Sequence, residues 1–520
     1  MTYRYILAAD VGTSSTKTTL WRDDGRLVAA ASAGYPLQRP DPLSAEIDAD
    51  VWWDAVCTTA RQVVAKAGIH PSEVAGIGVD GVSWTLIPVN QAGDPLAPAM
   101  IWLDRRAEDE TRWLNALSEA ADLIRLDANP LDSAYITPKL LWLKAHRPDI
   151  FAAAYKFLTA SGFIVARLTG EMTCDYTQAY GYHFFDMAHE RWDAGAAARL
   201  GIPLEKLPPL VACSDIVGAL TATAAAQMGL APGIPVIAGA LDAAVGALGS
   251  GVTRLEQTND QGGQAGGMAV SVDRMIYEPK LIFSHHVLPG QYLLQAGTVG
   301  GGSLGWFRDV LGQVETSAAG LLGQSPFELF SAQAGATPAG AHGLLFLPYM
   351  AGERTPLWSS QARGVFFGLS YTSTRGDLLR AIMEGCAFAV YDNLRLAEAQ
   401  GVSVTECLGA GGATQSPVWC QIKADIYNRP YIVARLADGG EGGHSLGLFA
   451  LTAAAVGLVE SAGATVERLL SQRQVFEPSA ARHAMYEDLF GVYRSVSRRL
   501  LADFDELSAV SARHGLAAAQ

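Results

Sequence analysis

Positive charge is scarce in this chain of 520 residues: Lys and Arg number 38 against 52 Asp and Glu, a formal net charge of −14 at pH 7. That balance argues against a general binder of nucleic acid or of an anionic membrane surface, while leaving room for a local basic pocket. Cysteine is sparse as well. Cys57, Cys174, Cys213, Cys386, Cys407 and Cys420 are widely scattered, without a C-x-x-C pair or metal-ligand spacing. With no signal peptide in view, they read as buried or free thiols in a reducing cytoplasm. No apolar run reaches membrane length. The longest near the C-terminus, Leu446 to Val459, is short and rich in Ala and Gly, so a tightly packed core helix is expected there. The Gly-Lys-Ser/Thr ending of a Walker loop is also missing. Charged residues make up only 17% against 49% hydrophobic, which excludes a disordered chain, and the length allows two to four domains with large cores.

What is present begins at Ile6-Leu-Ala-Ala-Asp-Val-Gly-Thr-Ser-Ser-Thr-Lys17. A short apolar run, read as a buried strand, meets Asp10 and then Gly12, Thr13 and Ser14 before a second strand begins. A Gly-and-hydroxyl loop between strands can wrap a phosphate: glycine lets the backbone approach, and N–H and O–H groups donate to its oxygens. The carboxylate of Asp10 cannot bind phosphate itself but can hold Mg²⁺ through water. A polar β-turn with an Asp beside it is the plainer alternative.

Further along, Trp52, Trp53, Val56, Ala60 and Val63 recur at helical spacing behind a cap near Asp48 or Asp50. Val74 to Val79 reads as a strand broken by Asp80-Gly81. Residues 105–200 read as mainly helical. Val236 to Gly239 is a buried strand running into Ala240-Leu241-Asp242 and a small-residue helix. A second start follows, with Gln261-Gly-Gly-Gln-Ala-Gly-Gly267 as another Gly-rich loop, strands from Met268 onward, and Gly300-Gly-Gly302. Two similar α/β domains with a cleft between them are therefore expected. Arg375 to Ala399 reads as a long amphipathic helix. Leu408-Gly-Ala-Gly-Gly-Ala413 reads as a strand ending in a Gly turn ahead of a helix, a good anion site.

Taken together, these stretches resemble the FGGY family of carbohydrate kinases, most of all its xylulokinase branch, from Tyr5 to about Leu500. The resemblance implies two actin-like (ribonuclease-H-like) domains facing each other across a ligand cleft, with residues 1–249 as the N-terminal domain, 250–500 as the C-terminal domain and 501–520 as a tail. It implies ATP and Mg²⁺, a small sugar or polyol substrate, no nucleic acid, no membrane and a cytoplasmic location, and it is compatible with a homodimer. Residue by residue, Asp10, Gly12, Thr13 and Ser14 match the first phosphate loop, with Asp10 serving Mg²⁺. Gly263, Gln264 and Gly266 match the second phosphate loop, with Gly300 near it. Gly411 and Gly412 belong to the adenosine-phosphate loop. Asp104 and Arg106 match a Trp-x-Asp-x-Arg stretch beside the sugar, and Tyr135 falls at an aromatic substrate position. Gly239-Ala-Leu-Asp242 matches the segment bearing the catalytic Asp, and Gly352-Glu-Arg-Thr-Pro356 part of a second-domain signature.

The chain also departs from that pattern. Val82-Ser-Trp-Thr85 stands where a xylulokinase has Gln-Met-His-Gly, putting Ser83 and Trp84 at the sugar. Gly263-Gln-Ala-Gly266 replaces Gly-Thr-Ser-Gly, and Ala243 follows Asp242 where Asn or Gln is common. The expected reaction is phosphorylation of a hydroxyl on a ketopentose such as xylulose or a relative, with Asp242 as base. A sugar-binding regulator with impaired catalysis and an actin- or chaperone-type ATPase share the same expected fold. His285-His286 is not read as a metal site, because neighbours on a strand point to opposite faces.

Overall fold

The structure, a computed structural model, describes residues 4–263 and 265–516; Gln264 lies outside the described residues. Two large sheets carry the fold and repeat one topology. In the first, β1 (Tyr5–Val11), β2 (Ser15–Arg22) and β3 (Leu27–Gly34) form an antiparallel meander. After helix α1 (Ala49–Ala67), β4 (Val74–Gly81) lies parallel beside β1, and β5 (Pro235–Ile237) parallel beside β4. Helix α2 (Asp242–Gly249) follows. In the second sheet β6 (Gln257–Gln261), β7 (Ala265–Val272) and β8 (Tyr292–Val299) form the meander. Helix α3 (Arg375–Ala399) then leads to β9 (Glu406–Ala410), parallel to β6. Helix α4 (Pro417–Tyr427) leads to β10 (Tyr431–Arg435), parallel to β9, and helix α5 (His444–Ala455) follows. The spatial orders 3-2-1-4-5 and 8-7-6-9-10 are the same path walked twice. An antiparallel strand closes the edge beyond β5 (Ile216–Ala219) and beyond β10 (Gln472–Phe476).

Local chemistry explains the element bounds. Asp48 caps α1 by accepting from the Asp50 amide, and Gly68 ends it in the left-handed region. Thr374 and Asp377 form a reciprocal capping box at the start of α3, which has the bounds expected from its periodicity. Two expectations need correction. β4 does not break at Asp80-Gly81 but runs through both, since Asp80 pairs in register with Asp10 on one side and Ala240 on the other. The second Gly-rich loop is shorter than expected: Ala265, Gly266 and Gly267 are already strand β7, paired with Val299, Thr298 and Gly297. The expected tail beyond Leu500 contains a further helix, Leu501–His514.

The two sheets are joined by a helix that crosses from one to the other. α5 follows the second sheet in sequence but packs on β1 and β4 of the first. Gly76 and Gly78 on β4 make room for it: a Cβ on Gly78 would sit 2.1 Å from the Thr452 hydroxyl. Phe449 of α5 stacks on Trp21, ring centroids 5.2 Å apart. α5 also crosses α2 at backbone contact. A Cβ on Gly249 would lie 1.9 Å from the Gly443 carbonyl oxygen, and one on Gly447 2.2 Å from that of Val245. The expected core helix at Leu446 is thus the connector between the lobes, and its small residues are what lets it pass.

Candidate functional site

Each sheet ends its parallel strands at a shared cleft, and three cavities line up there. The smallest, about 220 Å³, lies between the lobes and is lined by Thr13, Ser83, Trp84, Trp102, Tyr180 and Asp242 from one side and by Gly266, Gln295 and Arg354 from the other. It shares Gln261 and Ala265 with a second cavity of about 340 Å³, lined by Asp10, Lys17, Gly263, Gly411, Gly443 and His444. That one shares Gly262 and Gly263 with a third of about 780 Å³, which runs under Gly301, Trp306, Phe327, Met383, Gly412 and Trp419.

The walls between the second and third cavities are almost side-chain free. Gly262 donates to the Ala410 carbonyl at 2.7 Å, and Gly301 donates to the Gly263 carbonyl at 2.8 Å. A Cβ on Gly300 would stand 2.6 Å from the Gly266 amide, and one on Gly262 2.5 Å from Cβ of Ala413. Gly411, at φ 78°, packs against Gly262. Three turns from distant parts of the sequence therefore meet backbone to backbone, a surface of amide dipoles suited to phosphate oxygens. Across the cleft, Gly12, Thr13 and Ser14 form the turn of the β1–β2 hairpin, held where the Tyr35 hydroxyl donates to the Gly12 carbonyl at 2.7 Å. Asp10 at its base faces His444, Oδ2 to Nδ1 at 3.7 Å.

Asp242 is the first residue of α2. The Leu241 amide donates to the Thr177 hydroxyl at 2.8 Å, fixing the strand end, and the Ala243 amide donates to Asp242 Oδ1 at 2.6 Å. Burial pushes its carboxyl up to about 6, helped by the nearby Asp10 and opposed by His444, the Ala243 amide and Arg354. A third carboxyl, Asp80, is fully buried beside these two, and neither of its oxygens has a hydrogen-bond partner. Burial, then Asp10 and Asp242, hold it well above the usual carboxylate range. The sequence reading missed Asp80, although its signal was there: an Asp at the end of an apolar strand with a Gly just after it, as in Asp10-Val-Gly12. Tyr180, Gln295 and Arg354 were missed as site residues too; of these only Arg354 lay in a stretch already singled out.

Trp84 forms one wall of the small cavity. It sits at φ 50°, rare for a bulky residue, and is 2% exposed with its indole N–H unpartnered. Tyr135 does not line the cavity. It stacks behind Trp84 at 4.3 Å between centroids, and its hydroxyl donates to Asn129. Lys139 is fully buried and donates to the carbonyls of Trp84 and Ile101, both at 2.7 Å, tying the turn that bears Trp84 to the segment that bears Trp102. Burial draws its ammonium down to about 7. Asp104 and Arg106 also stand behind the cavity. Asp104 accepts from the Ala45 amide at 2.8 Å and from Arg106, which reaches on to Glu46 at 2.6 Å and covers the Trp142 ring. This buried pair anchors the segment of Trp102, whose indole N–H donates to the Thr13 hydroxyl at 3.0 Å. Among the described residues no group of three or more His, Cys, Asp or Glu side chains is placed to hold a metal. All six cysteines are buried and unpaired, and no helix of the described residues is long and apolar enough to cross a membrane.

A small polar cavity bearing Asp242 and opening onto a glycine-walled one, between two like lobes, is the arrangement of a kinase acting on small molecules. Comparison with known proteins agrees. The model of the N-terminal domain of the FGGY family of carbohydrate kinases matches residues 5–249, and that of its C-terminal domain matches residues 277–455. The chain belongs to the FGGY family of carbohydrate kinases. It is 28% identical to a xylulose kinase of Staphylococcus xylosus over 95% of this chain and 99% of the other. It is equally 28% identical to a gluconokinase of Bacillus subtilis, over 95% of this chain and 94% of the other. The crystal structure of a ligand-bound xylulose kinase from Lactobacillus acidophilus superposes with a TM-score of 0.86 at 26% identity, covering 97% of this chain and all of that one.

Proposed function

We propose that this carbohydrate kinase transfers the γ-phosphoryl group of ATP to a hydroxyl of a small sugar or polyol, with Asp242 as general base. The observation that supports this best is the position of Asp242: it faces the 220 Å³ cavity, whose walls Gln261 and Ala265 also bound the cavity of Asp10 and the glycine turns. In this reading the sugar occupies the small cavity, the phosphates the 340 Å³ one and the adenosine the 780 Å³ one. Asp242 accepts the proton of the substrate hydroxyl. The freed oxygen bonds to the γ-phosphorus while the bond from that phosphorus to its bridging oxygen breaks, and ADP leaves with the electron pair.

Asp10 would hold a magnesium ion: its carboxylate lines a cavity walled largely by glycine backbone, with Glu441 the other carboxylate on that lining, and Mg²⁺ in such sites takes one or two carboxylates and keeps several waters. The ion would neutralise charge on the phosphates. Gly12, Thr13 and Ser14, with Gly263, Gly411 and Gly412, would orient them, and Gln264 and Gly300 complete that set. We assign Ser83, Trp84 and Asp242 to direct contact with the sugar, and Asp104, Arg106 and Tyr135 to holding its walls. ATP supply and the unpaired cysteines favour the cytoplasm.

The named relatives act on different acceptors, so the pocket must decide the substrate. Trp84 offers one N–H and no acceptor, and a broad face that suits a run of C–H bonds. D-xylulose is accordingly a secondary substrate, and another ketopentose, a deoxysugar or a polyol the preferred one. A panel of ketoses, aldoses, polyols and aldonates in a coupled ATP assay tests this. ATP turnover that no acceptor stimulates would favour the ATPase or regulator reading instead.

A further inference from the structure

The loop Gly352-Glu-Arg-Thr-Pro356 brings a cation into the small cavity that the reading above leaves without work. Arg354 lines it opposite Asp242 and Trp84. Its place is prepared from three sides. The Thr355 hydroxyl donates to the Gly297 carbonyl at 3.0 Å, fixing the loop to β8. Gly297 lies under the guanidinium, where a Cβ would stand 2.5 Å from Nη2. From the other lobe, the Trp102 ring faces the guanidinium at 4.9 Å. Among the described residues Arg354 forms no ion pair within 4 Å. Every other charged group near it is already engaged or belongs to the reaction: Glu353 accepts from Thr298, Arg105 pairs with Asp132, and Asp242 is the proposed base. A guanidinium stacked on an indole and aimed into the cavity keeps its N–H fork free for a planar or tetrahedral set of anionic oxygens.

We propose that Arg354 is a catalytic residue that binds a negatively charged oxygen inside the small cavity, an inference that rests on the kinase reading above. Two sources present that chemistry. One is the phosphoryl group during transfer, whose peripheral oxygens would pass between Asp242 and the glycine turns. The other is a carboxylate on the acceptor itself, as in a sugar acid. Stacking on Trp102, which is itself bonded to Thr13 of the first phosphate turn, ties the cation to the place where the phosphates arrive. The bond changes are those of the kinase reaction; Arg354 neither gains nor loses a proton.

The test is steady-state kinetics of Arg354→Gln and Arg354→Lys with D-xylulose as a neutral acceptor and D-gluconate as an acidic one. A second variant, Gly297→Ala, displaces the guanidinium while leaving it in the chain. Each variant's fold is checked by its melting curve. If the oxygen belongs to the phosphoryl group, kcat falls about 10²-fold or more with either acceptor while KM changes little. If it belongs to the acceptor, KM for gluconate rises at least 10-fold and xylulose kinetics hold. Either result supports the proposal. Folded variants whose kcat and KM stay within about 3-fold of wild type for both acceptors overturn it. Asp242→Asn, measured alongside, separates the two readings: an inactive Asp242→Asn with active Arg354 variants removes only this inference, whereas a wild-type enzyme that phosphorylates no acceptor removes the proposed function itself.

Discussion

At the scale of single residues, Asp242 combines two consequences of one environment. Burial raises its carboxyl to about 6, so in the proposed mechanism it can accept a proton only above that pH. We expect kcat/KM to climb through about pH 6 and the limb to vanish in Asp242→Asn, whose kcat falls by roughly 10²–10⁴ while sugar and ATP still bind. The stability effect has the opposite sense. The folded state holds this proton more tightly than the unfolded one, so the group favours folding below about pH 4 and that benefit is lost as pH rises through 6. Asp242→Asn should therefore be the more stable protein at pH 7–8, by about 1–2 kcal/mol. Denaturant titration at pH 4.5 and 7.5 checks it, and an unchanged difference between the two pH values would count against the shift. The neighbouring Ser83-Trp84 pair bears on substrate choice. The double change Ser83→Met with Trp84→His supplies an imidazole where an indole now lies and should move activity toward xylulose. The comparison is kcat/KM on xylulose over the best acceptor of the panel, and a wild-type enzyme already best on xylulose ends that reading.

At the scale of elements, the crossing of α2 and α5 depends on glycine in a way that composition does not reveal. A methyl on Gly447 or Gly249 meets a carbonyl oxygen of the facing helix, not a movable side chain. Gly447→Ala should cost about 1–3 kcal/mol or more by forcing the helices apart. Because Asp242 opens α2 and His444 opens α5, it should also lower kcat, whereas Gly491→Ala, on a face with nothing nearby, should do neither. The buried Lys139 gives a further expectation. Its folded-state pKa of about 7 lies below the usual 10.5, so the unfolded chain binds the extra proton between those values. The stability of the wild type relative to Lys139→Met should rise from pH 7 to pH 10, and thermal melts across that range would show a flat difference if the ammonium were not buried.

At the scale of the whole molecule, the proposed mechanism puts the base on one lobe and the glycine turns Gly262-Gly263, Gly301 and Gly411 on the other, so we expect the lobes to come together for reaction. Leaving the cleft open would let water compete with the acceptor for the phosphoryl group. The contacts that bridge the lobes away from α2 and α5 include Asn129, whose amide both donates to the Phe283 carbonyl at 2.8 Å and accepts from its N–H at 2.9 Å. With an accepted sugar plus a non-hydrolysable ATP analogue, the radius of gyration from small-angle scattering should be smaller than with neither. Superimposable profiles would mean that the cleft does not close.

How much of this was legible in the sequence follows from what is local and what is not. Apolar runs, caps and turn residues mark strands and helices because backbone preference and hydrophobic periodicity act over a few residues. Hence β1, β2, α1 and α3 could be read directly, and the repeated strand–turn–strand unit announced two like lobes. Asp10 and Asp242 were legible because each stands where an apolar strand opens into a turn or a helix. The partition of the aromatic and charged side chains was not. Whether Trp84 or Tyr135 meets the cavity, and whether Asp104 and Arg106 face it or brace it, depends on contacts between segments far apart in sequence. The same is true of α5, which only the tertiary structure sets on the first sheet, because its small residues complement glycines on β4 more than 350 residues earlier. Asp80 and Arg354 took on meaning for the same reason. A lone acid or cation is ordinary along a chain, and it becomes part of a site only when folding strips it of water and leaves it without a partner.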